Sequence, residues 1–304
     1  MPEHLFRSLM FVPAHNERLM ESASRSKADV LLPDIEDSVQ PDGNKAVARD
    51  SIERWVRSGR LGRFGIFPRV NDRESGHLLR DVHQLTIPGV HGFMYPKAKR
   101  GEDIYFFSKL IETIEYEKGL PLGTFKIIPL IETASAVPHC EEICRASSRV
   151  LAVAFGCEDF ITDLQGVHDE ESESLFVPRA MIAMAARAAG VAAVDTVHIK
   201  VHDLVGLERN LVVAKNLGFE GMLILHPKEI ELAHRYFSPS EQEVRDAEEI
   251  IRLARGFEVA GQGVAVTGGK FIGPPIVKMA EKVLARQRLV AARETGAENA
   301  VGYS

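Results

Sequence analysis

Cysteine is scarce in this chain. Cys140, Cys144 and Cys157 are its three thiols in 304 residues, too few for a disulfide framework. Cys140 and Cys144 stand at helical i, i+4 spacing, the geometry of half a zinc site. No second cysteine pair lies nearby, so buried helix thiols account for them better. Apolar runs are short, and none approaches the ~18 residues of a membrane span. Met1-Pro2-Glu3-His4 has no apolar segment of the signal-peptide kind, so the chain reads as cytoplasmic. Positive charge is not in excess either. A formal charge of −6 and a pI near 6.0 argue against nucleic acid or an anionic membrane as the main partner. No Gly-x-Gly-x-x-Gly follows an apolar run, which argues against a Rossmann dinucleotide site.

What the chain has instead is a repeated pattern. Seven short apolar runs each end in a polar or charged side chain. Leu31-Leu32-Pro33 runs into Asp34-Ile35-Glu36-Asp37. Ile66-Phe67-Pro68 meets Arg69, and Phe93 to Pro96 meets Lys97. Ile127 to Ile131 stops at Glu132, and Val150 to Phe155 leads to Glu158-Asp159. Val191 to Val194 reaches Asp195, and Met222 to Leu225 reaches His226. In a parallel sheet these groups gather on one face, which is how a (β/α) barrel builds an active site.

Strand-like and helix-like stretches alternate from the start. Expected strands are Ser8–Val12, Val30–Pro33, Gly65–Val70, Gly92–Tyr95, Lys126–Ile131, Val150–Phe155, Val191–Val197 and Gly221–Leu225. Helical stretches fall between them at 18–27, 45–57, 75–84, 102–118, 135–145, 178–190 and 202–217. The fold class is therefore α/β, a (β/α)8 TIM barrel over residues 1–236. Residues 237–304 form a C-terminal helical extension, a cap or an arm reaching a neighbouring subunit. In it Ser238, Pro239 and Glu241 have the pattern of a helix start, with Val244, Ala247, Ile251 and Ala254 as the buried stripe. The polar stretch Val167–Ser174 reads as a candidate lid.

Glu132 and Asp159 end successive strands. Paired carboxylates suit Mg²⁺, which takes one or two of them and fills its other positions with water and substrate oxygens. The plainer reading is that each caps the next helix. Arg69 ends the third strand half buried and needs an anion, either a substrate carboxylate or Glu36 or Asp37 from the adjacent strand. Arg69, Glu36 and Asp37 are thus the candidate catalytic groups. Lys45 and Arg49, at i, i+4 on the following helix, either balance the acidic cluster or bind a cofactor phosphate. Lys97 reads as an ion-pair partner rather than a Schiff-base lysine. His226 is a candidate pocket residue or a core histidine.

An ordered set of motifs resembles one known family. It comprises Arg7-Ser8-Leu9-Met10-Phe11-Val12-Pro13, Asp34-Ile35-Glu36-Asp37-Ser38-Val39, Pro68-Arg69-Val70-Asn71 and Tyr95-Pro96-Lys97. It continues with Ile131-Glu132-Thr133-Ala134, Phe155-Gly156-Cys157-Glu158-Asp159-Phe160, Leu225-His226-Pro227 and Phe237-Ser238-Pro239-Ser240. The chain resembles the citrate lyase β-subunit-like family of the HpcH/HpaI aldolase superfamily, with its malyl-CoA and citramalyl-CoA lyases. The resemblance implies a Mg²⁺-dependent lyase that splits a CoA thioester into an acyl-CoA and a 2-oxo acid, assembled as a homotrimer or homohexamer. It implies that Glu132 and Asp159 hold the metal and that Arg69 binds the acid. Phe11, Val12, Leu225 and His226 would line the substrate pocket. The family's C-terminal lid carries an aspartate. Aligning Gly268-Gly269-Lys270-Phe271-Ile272 with that lid puts Gly273 in its place, which opens the alternative of thioester hydrolysis or of binding without catalysis.

Overall fold

The computed structural model describes residues 5–167, 173–259, 265–267 and 270–295, with main chain alone over 257–259, 265–267 and 270–271. Two compact units emerge. One spans Phe6–His234, and the other is the described part of Arg235–Gly302, together with Leu5.

The first unit is a barrel. Its strands are β1 (Ser8–Pro13), β2 (Val30–Asp34), β3 (Gly65–Ile66), β4 (Gly92–Tyr95), β5 (Lys126–Ile131), β6 (Ala152–Phe155), β7 (Ala192–Asp195) and β8 (Gly221–Ile224). All pairings among them are parallel, in the order β3-β2-β1-β8-β7-β6-β5-β4. The ring closes between β3 and β4. His91 N–H donates to Ile66 O, Met94 N–H to Pro68 O and Val70 N–H to Met94 O, at 2.9, 3.0 and 3.2 Å. β3 ends short of the expected Val70 because Pro68 has no N–H to give the ladder, yet Arg69 still bridges Asp34 on one side and Met94 on the other.

The interior of the barrel is packed with side chains. Phe6, Leu9, Leu32, Phe67, Met94, Ile128 and Leu130 supply bulk, and Ala152, Ala154 and Ala192 on β6 and β7 leave room for it. Alternating large and small side chains fill a closed barrel without voids. Helices cover the outside: α1 (Glu17–Ser24), α2 (Asn44–Arg57), α3 (Leu78–Leu85), α4 (Gly101–Glu117), α5 (Cys140–Arg145), α6 (Cys157–Leu164), α7 (Glu173–Ala189), α8 (Leu204–Leu217) and α9 (Ile230–Phe237), the last running on into the second unit. α2 shows why they form. Ala48, Ile52, Trp55 and Val56 recur at helical spacing and are buried as one stripe. α6 follows β6 directly, where the sequence pattern assigned no element, and α7 starts at Glu173, upstream of the expected Pro178. Pro178 lies inside α7, within its second turn, where it has no N–H to give the carbonyl of Ser174. Residues 168–172 of the candidate lid lie outside the described residues.

The second unit holds α10 (Glu241–Val259), an antiparallel pair β9 (Ala265–Thr267) and β10 (Lys270–Ile272), and α11 (Pro274–Glu294), with α10 and α11 packed together. The capping pair of α10 is Ser240 with Glu243, two residues later than expected. Each side chain there accepts the other's main-chain N–H, at 3.2 and 2.8 Å. Gly268-Gly269 of the lid motif lie outside the described residues. Gly273 precedes α11 in extended conformation.

Candidate active site

The strand ends open onto a cleft of about 440 Å³. Phe11 and Pro13 come from β1, Asp34 from the end of β2, Asp37 and Ser38 from the turn after it, and Arg69 from beyond β3. Leu130 lies on β5 and Glu132 directly after it. The turn after β6 supplies Gly156 to Asp159, and Val197, Leu223 and Leu225 complete the wall. A smaller cavity of about 170 Å³ lies behind β7. There Arg179 is taken up by Asp195 at 2.5 Å and His198 Nδ1 by Asn210 at 3.1 Å, so the convergent chemistry belongs to the larger cleft.

Arg69 stands at the floor of that cleft. Its Nε and Nη2 donate to the two oxygens of Asp34 at 2.7 and 2.8 Å, a bidentate fork. Nη1 lies 3.1 Å from Glu36 and 3.5 Å from Asp37, and the guanidinium carbon sits 4.8 Å from the centroid of the Phe11 ring. Burial works against the charge, but Asp34 outweighs it and raises the Arg69 pKa. In return Arg69 overcomes the burial of Asp34 and lowers that carboxyl's pKa. The principal structural partner is therefore Asp34 rather than Glu36 or Asp37. A guanidinium has five N–H donors. Asp34 uses two of them, so donors remain on Nη1 and Nη2 for a further carboxylate.

Glu132 is 2% exposed, and burial pushes its carboxyl up to about 8, against the pull of Arg69 and with the push of Glu36 and Asp159. Its Oε1 accepts the Lys97 N–H at 2.6 Å. Asp159 sits in the first turn of α6, where the helix dipole favours a carboxylate. Its side chain has no hydrogen bond or ion pair among the described residues. No preassembled group of three metal-ligating side chains is present among the described residues. The donor set nonetheless fits Mg²⁺, which needs only one or two carboxylates and keeps waters. Asp34, Glu36, Asp37, Glu132 and Asp159 outnumber Arg69 and Lys97, so a divalent cation would also balance the charge of the mouth.

Glu36 is buried, accepting Lys97 Nζ at 2.7 Å. Burial raises its pKa against the opposing charge of Arg69. Asp37, about half exposed, lines the cleft. Phe11 and Leu225 line it too, whereas Val12 is buried and His226 lies outside the wall, its Nδ1 accepting Lys228 N–H at 3.2 Å. The expectation that Lys45 and Arg49 meet a phosphate is corrected. Lys45 Nζ is buried on Ile35 O, Glu36 O and Asn71 Oδ1, and Arg49 is buried on Asp81 at 2.8 Å. Neutral oxygens inside the fold take the Lys45 donors, and Asp81 answers the charge of Arg49. Three contributors were not legible as such in the sequence: Asp34 as the arginine's fork partner, the Lys97 main-chain N–H, and Gly156 against Glu132.

Comparison with known proteins agrees with this geometry. The family model described as HpcH/HpaI aldolase/citrate lyase matches residues 7–227. The citrate lyase subunit beta of Leuconostoc mesenteroides subsp. cremoris is 30% identical over 282 residues, covering 93% of each chain. The L-malyl-CoA/beta-methylmalyl-CoA lyase of Cereibacter sphaeroides is 30% identical over 308 aligned positions, covering 94% of this chain and 96% of its own. Among solved structures, the protein CitE from Mycobacterium tuberculosis in complex with magnesium and acetate has a TM-score of 0.62 at 25% identity, covering 76% of this chain and 90% of that one.

Proposed function

Because the chain belongs to the HpcH/HpaI aldolase/citrate lyase family, we propose that it is a Mg²⁺-dependent lyase of the malyl-, citramalyl- or citryl-CoA kind. Its class is that of its relatives, carbon–carbon lyases acting on CoA thioesters. The observation that carries the finer reading is the meeting of Arg69, Glu132 and Asp159 in one cleft. The magnesium and acetate held by the M. tuberculosis relative support it.

In this reading the free donors of Arg69 hold the carboxylate of the acid half, oriented by Asp34. Glu132 and Asp159 would hold Mg²⁺, which as a Lewis acid would draw charge from the substrate hydroxyl. As the C–C bond breaks, the hydroxyl loses its proton and becomes the carbonyl of a 2-oxo acid. The bonding pair passes to the thioester fragment as an enolate, which takes up one proton to give the acyl-CoA. No proton is gained or lost overall. Phe11, Leu130, Leu223 and Leu225 give the cleft an apolar wall that limits water around the enolate.

Gly273 favours a second reading. In the resemblance set out above it takes the place of the family's lid aspartate, and glycine cannot move a proton. Thioester hydrolysis on the same scaffold would not need that acid. Separating the products of malyl-CoA and citramalyl-CoA tests both readings. Acyl-CoA with glyoxylate or pyruvate, abolished by EDTA, supports the lyase. Free CoA with intact hydroxy acid supports hydrolysis. Cleavage that is indifferent to EDTA rules out the metal.

A further inference from the structure

Lys97 is one of two non-glycine residues with a positive φ among the described residues, at 53°. It follows Pro96 in the turn that leaves β4. Glycine would take this left-handed conformation at no steric cost, whereas a side chain there is strained. Strain of this kind persists where the surroundings over-determine it, and functional sites collect it. At Lys97 two contacts do so. The turn aims the main-chain N–H at Glu132 Oε1, 2.6 Å away, a short bond of the charge-assisted kind. The side chain reaches across the mouth, with Nζ 2.7 Å from Glu36 Oε1 and 3.7 and 3.9 Å from Asp72 and Asp37. Glu36 in turn lies 3.1 Å from Arg69 Nη1.

One residue therefore touches both halves of the site, the carboxylate assigned to the metal and the acid packed on the arginine. We propose that Lys97 is a positioning residue that fixes the Glu132 carboxylate through its main chain and the Glu36–Arg69 pair through its side chain. The inference rests on the reading of the cleft as a site for Mg²⁺ and a 2-oxo acid. A lysine here does what glycine cannot, because glycine would supply the N–H without the second anchor. Neighbours that orient metal ligands in this way commonly matter to affinity as much as the ligands do.

Two variants separate the two contacts. Lys97→Gly keeps the left-handed turn and the N–H but loses Nζ. Lys97→Val loses Nζ as well and, being β-branched, disfavours the left-handed turn that aims the N–H. Calorimetric titration of the full chain with Mg²⁺ alone, then with pyruvate in saturating Mg²⁺, reads each half. Lys97→Gly should bind Mg²⁺ as the parent does and pyruvate about 10-fold more weakly, and Lys97→Val should also weaken Mg²⁺ about 10- to 100-fold. Circular dichroism confirms that each variant is folded. If Lys97→Gly binds pyruvate like the parent, the side-chain half is wrong. If it loses Mg²⁺ affinity, or if a folded Lys97→Val keeps it, the main-chain half is wrong. A parent that binds neither probe overturns the reading of the cleft and this inference with it. A parent that binds both, with unchanged variants, overturns the inference alone.

Discussion

Gly156 leaves no room for a methyl group beside Glu132: a Cβ there would lie 2.9 Å from Glu132 Oε2 and 3.1 Å from Glu132 Cβ. The backbone at Gly156, with φ −103° and ψ 97°, is one that alanine adopts freely. The glycine is needed for space rather than for conformation. The Lys97 N–H thus holds Oε1, and the missing side chain at Gly156 makes room for Oε2.

Gly156→Ala should accordingly displace the Glu132 carboxylate while leaving the barrel folded. The expected outcome is a thermal midpoint near the parent's and Mg²⁺ affinity lower by about 10- to 100-fold. Calorimetry with Mg²⁺ and a melting curve measure the two. Parental Mg²⁺ affinity in the alanine variant would show that the metal does not use this carboxylate geometry.

Asp34→Asn should damage stability and substrate binding together. Asp34 is 1% exposed and holds Arg69 by a two-point fork. Breaking a buried pair at one partner costs about 3–5 kcal/mol; Glu36 and Asp37 remain beside Arg69, so the lower end applies. Asp34 has a lowered folded pKa, so its contribution is present above the 3.8 of an ordinary aspartate and is lost as pH falls through the still lower folded pKa. The difference in stability between parent and Asp34→Asn should therefore shrink on acidification. A difference that stays constant down to acid unfolding would contradict the ion pair.

Glu229 gives the opposite pH dependence. Its Oε2 accepts Leu225 N–H and His226 N–H at 3.0 and 3.3 Å, and Oε1 is buried with no partner among the described residues. Burial raises its pKa from 4.5 to about 7, against those two N–H groups. The folded barrel thus holds the proton more tightly than the unfolded chain. This group's contribution is fully present below pH 4.5, falls as pH rises through about 7, and stays at its lower value beyond. Glu229→Gln should flatten the parent's decline across that window in melts taken at several pH values. Parallel profiles for parent and variant would sink the assignment.

The barrel was legible because its strands are short continuous apolar runs, and β4 and β5 were read to the residue. Arg69, Glu132 and Asp159 were legible because each follows such a run. What escaped were relations set by register. Asp34, Glu36 and Asp37 are alike by type, and only the parallel bridge between Asp34 and Arg69 selects the fork partner. Lys45 and Arg49 read as cations that balance the acidic cluster or bind a phosphate. Asn71 and Asp81, distant in sequence, draw both inward. Gly156 gave no signal, because its role lies in the side chain it makes room for.

Glu132→Gln should separate function from stability most cleanly. The amide is nearly isosteric and still offers an oxygen to the Lys97 N–H, so the local packing survives. What changes is the charge. Glu132 is buried among other acids, with the Lys97 N–H as its one main-chain donor among the described residues, and an ionised carboxylate in such a place is costly unless a cation answers it. In metal-free buffer the glutamine variant should melt at or above the parent's midpoint. Added Mg²⁺ should raise the parent's midpoint by its binding linkage, about 2.7 kcal/mol at 100 times the dissociation constant, and leave the variant's unmoved. C–C cleavage should disappear in the variant at the same time. A variant that is less stable than the parent without metal, yet still stabilised by Mg²⁺, would mean that Glu132 serves the fold and that the ion sits elsewhere.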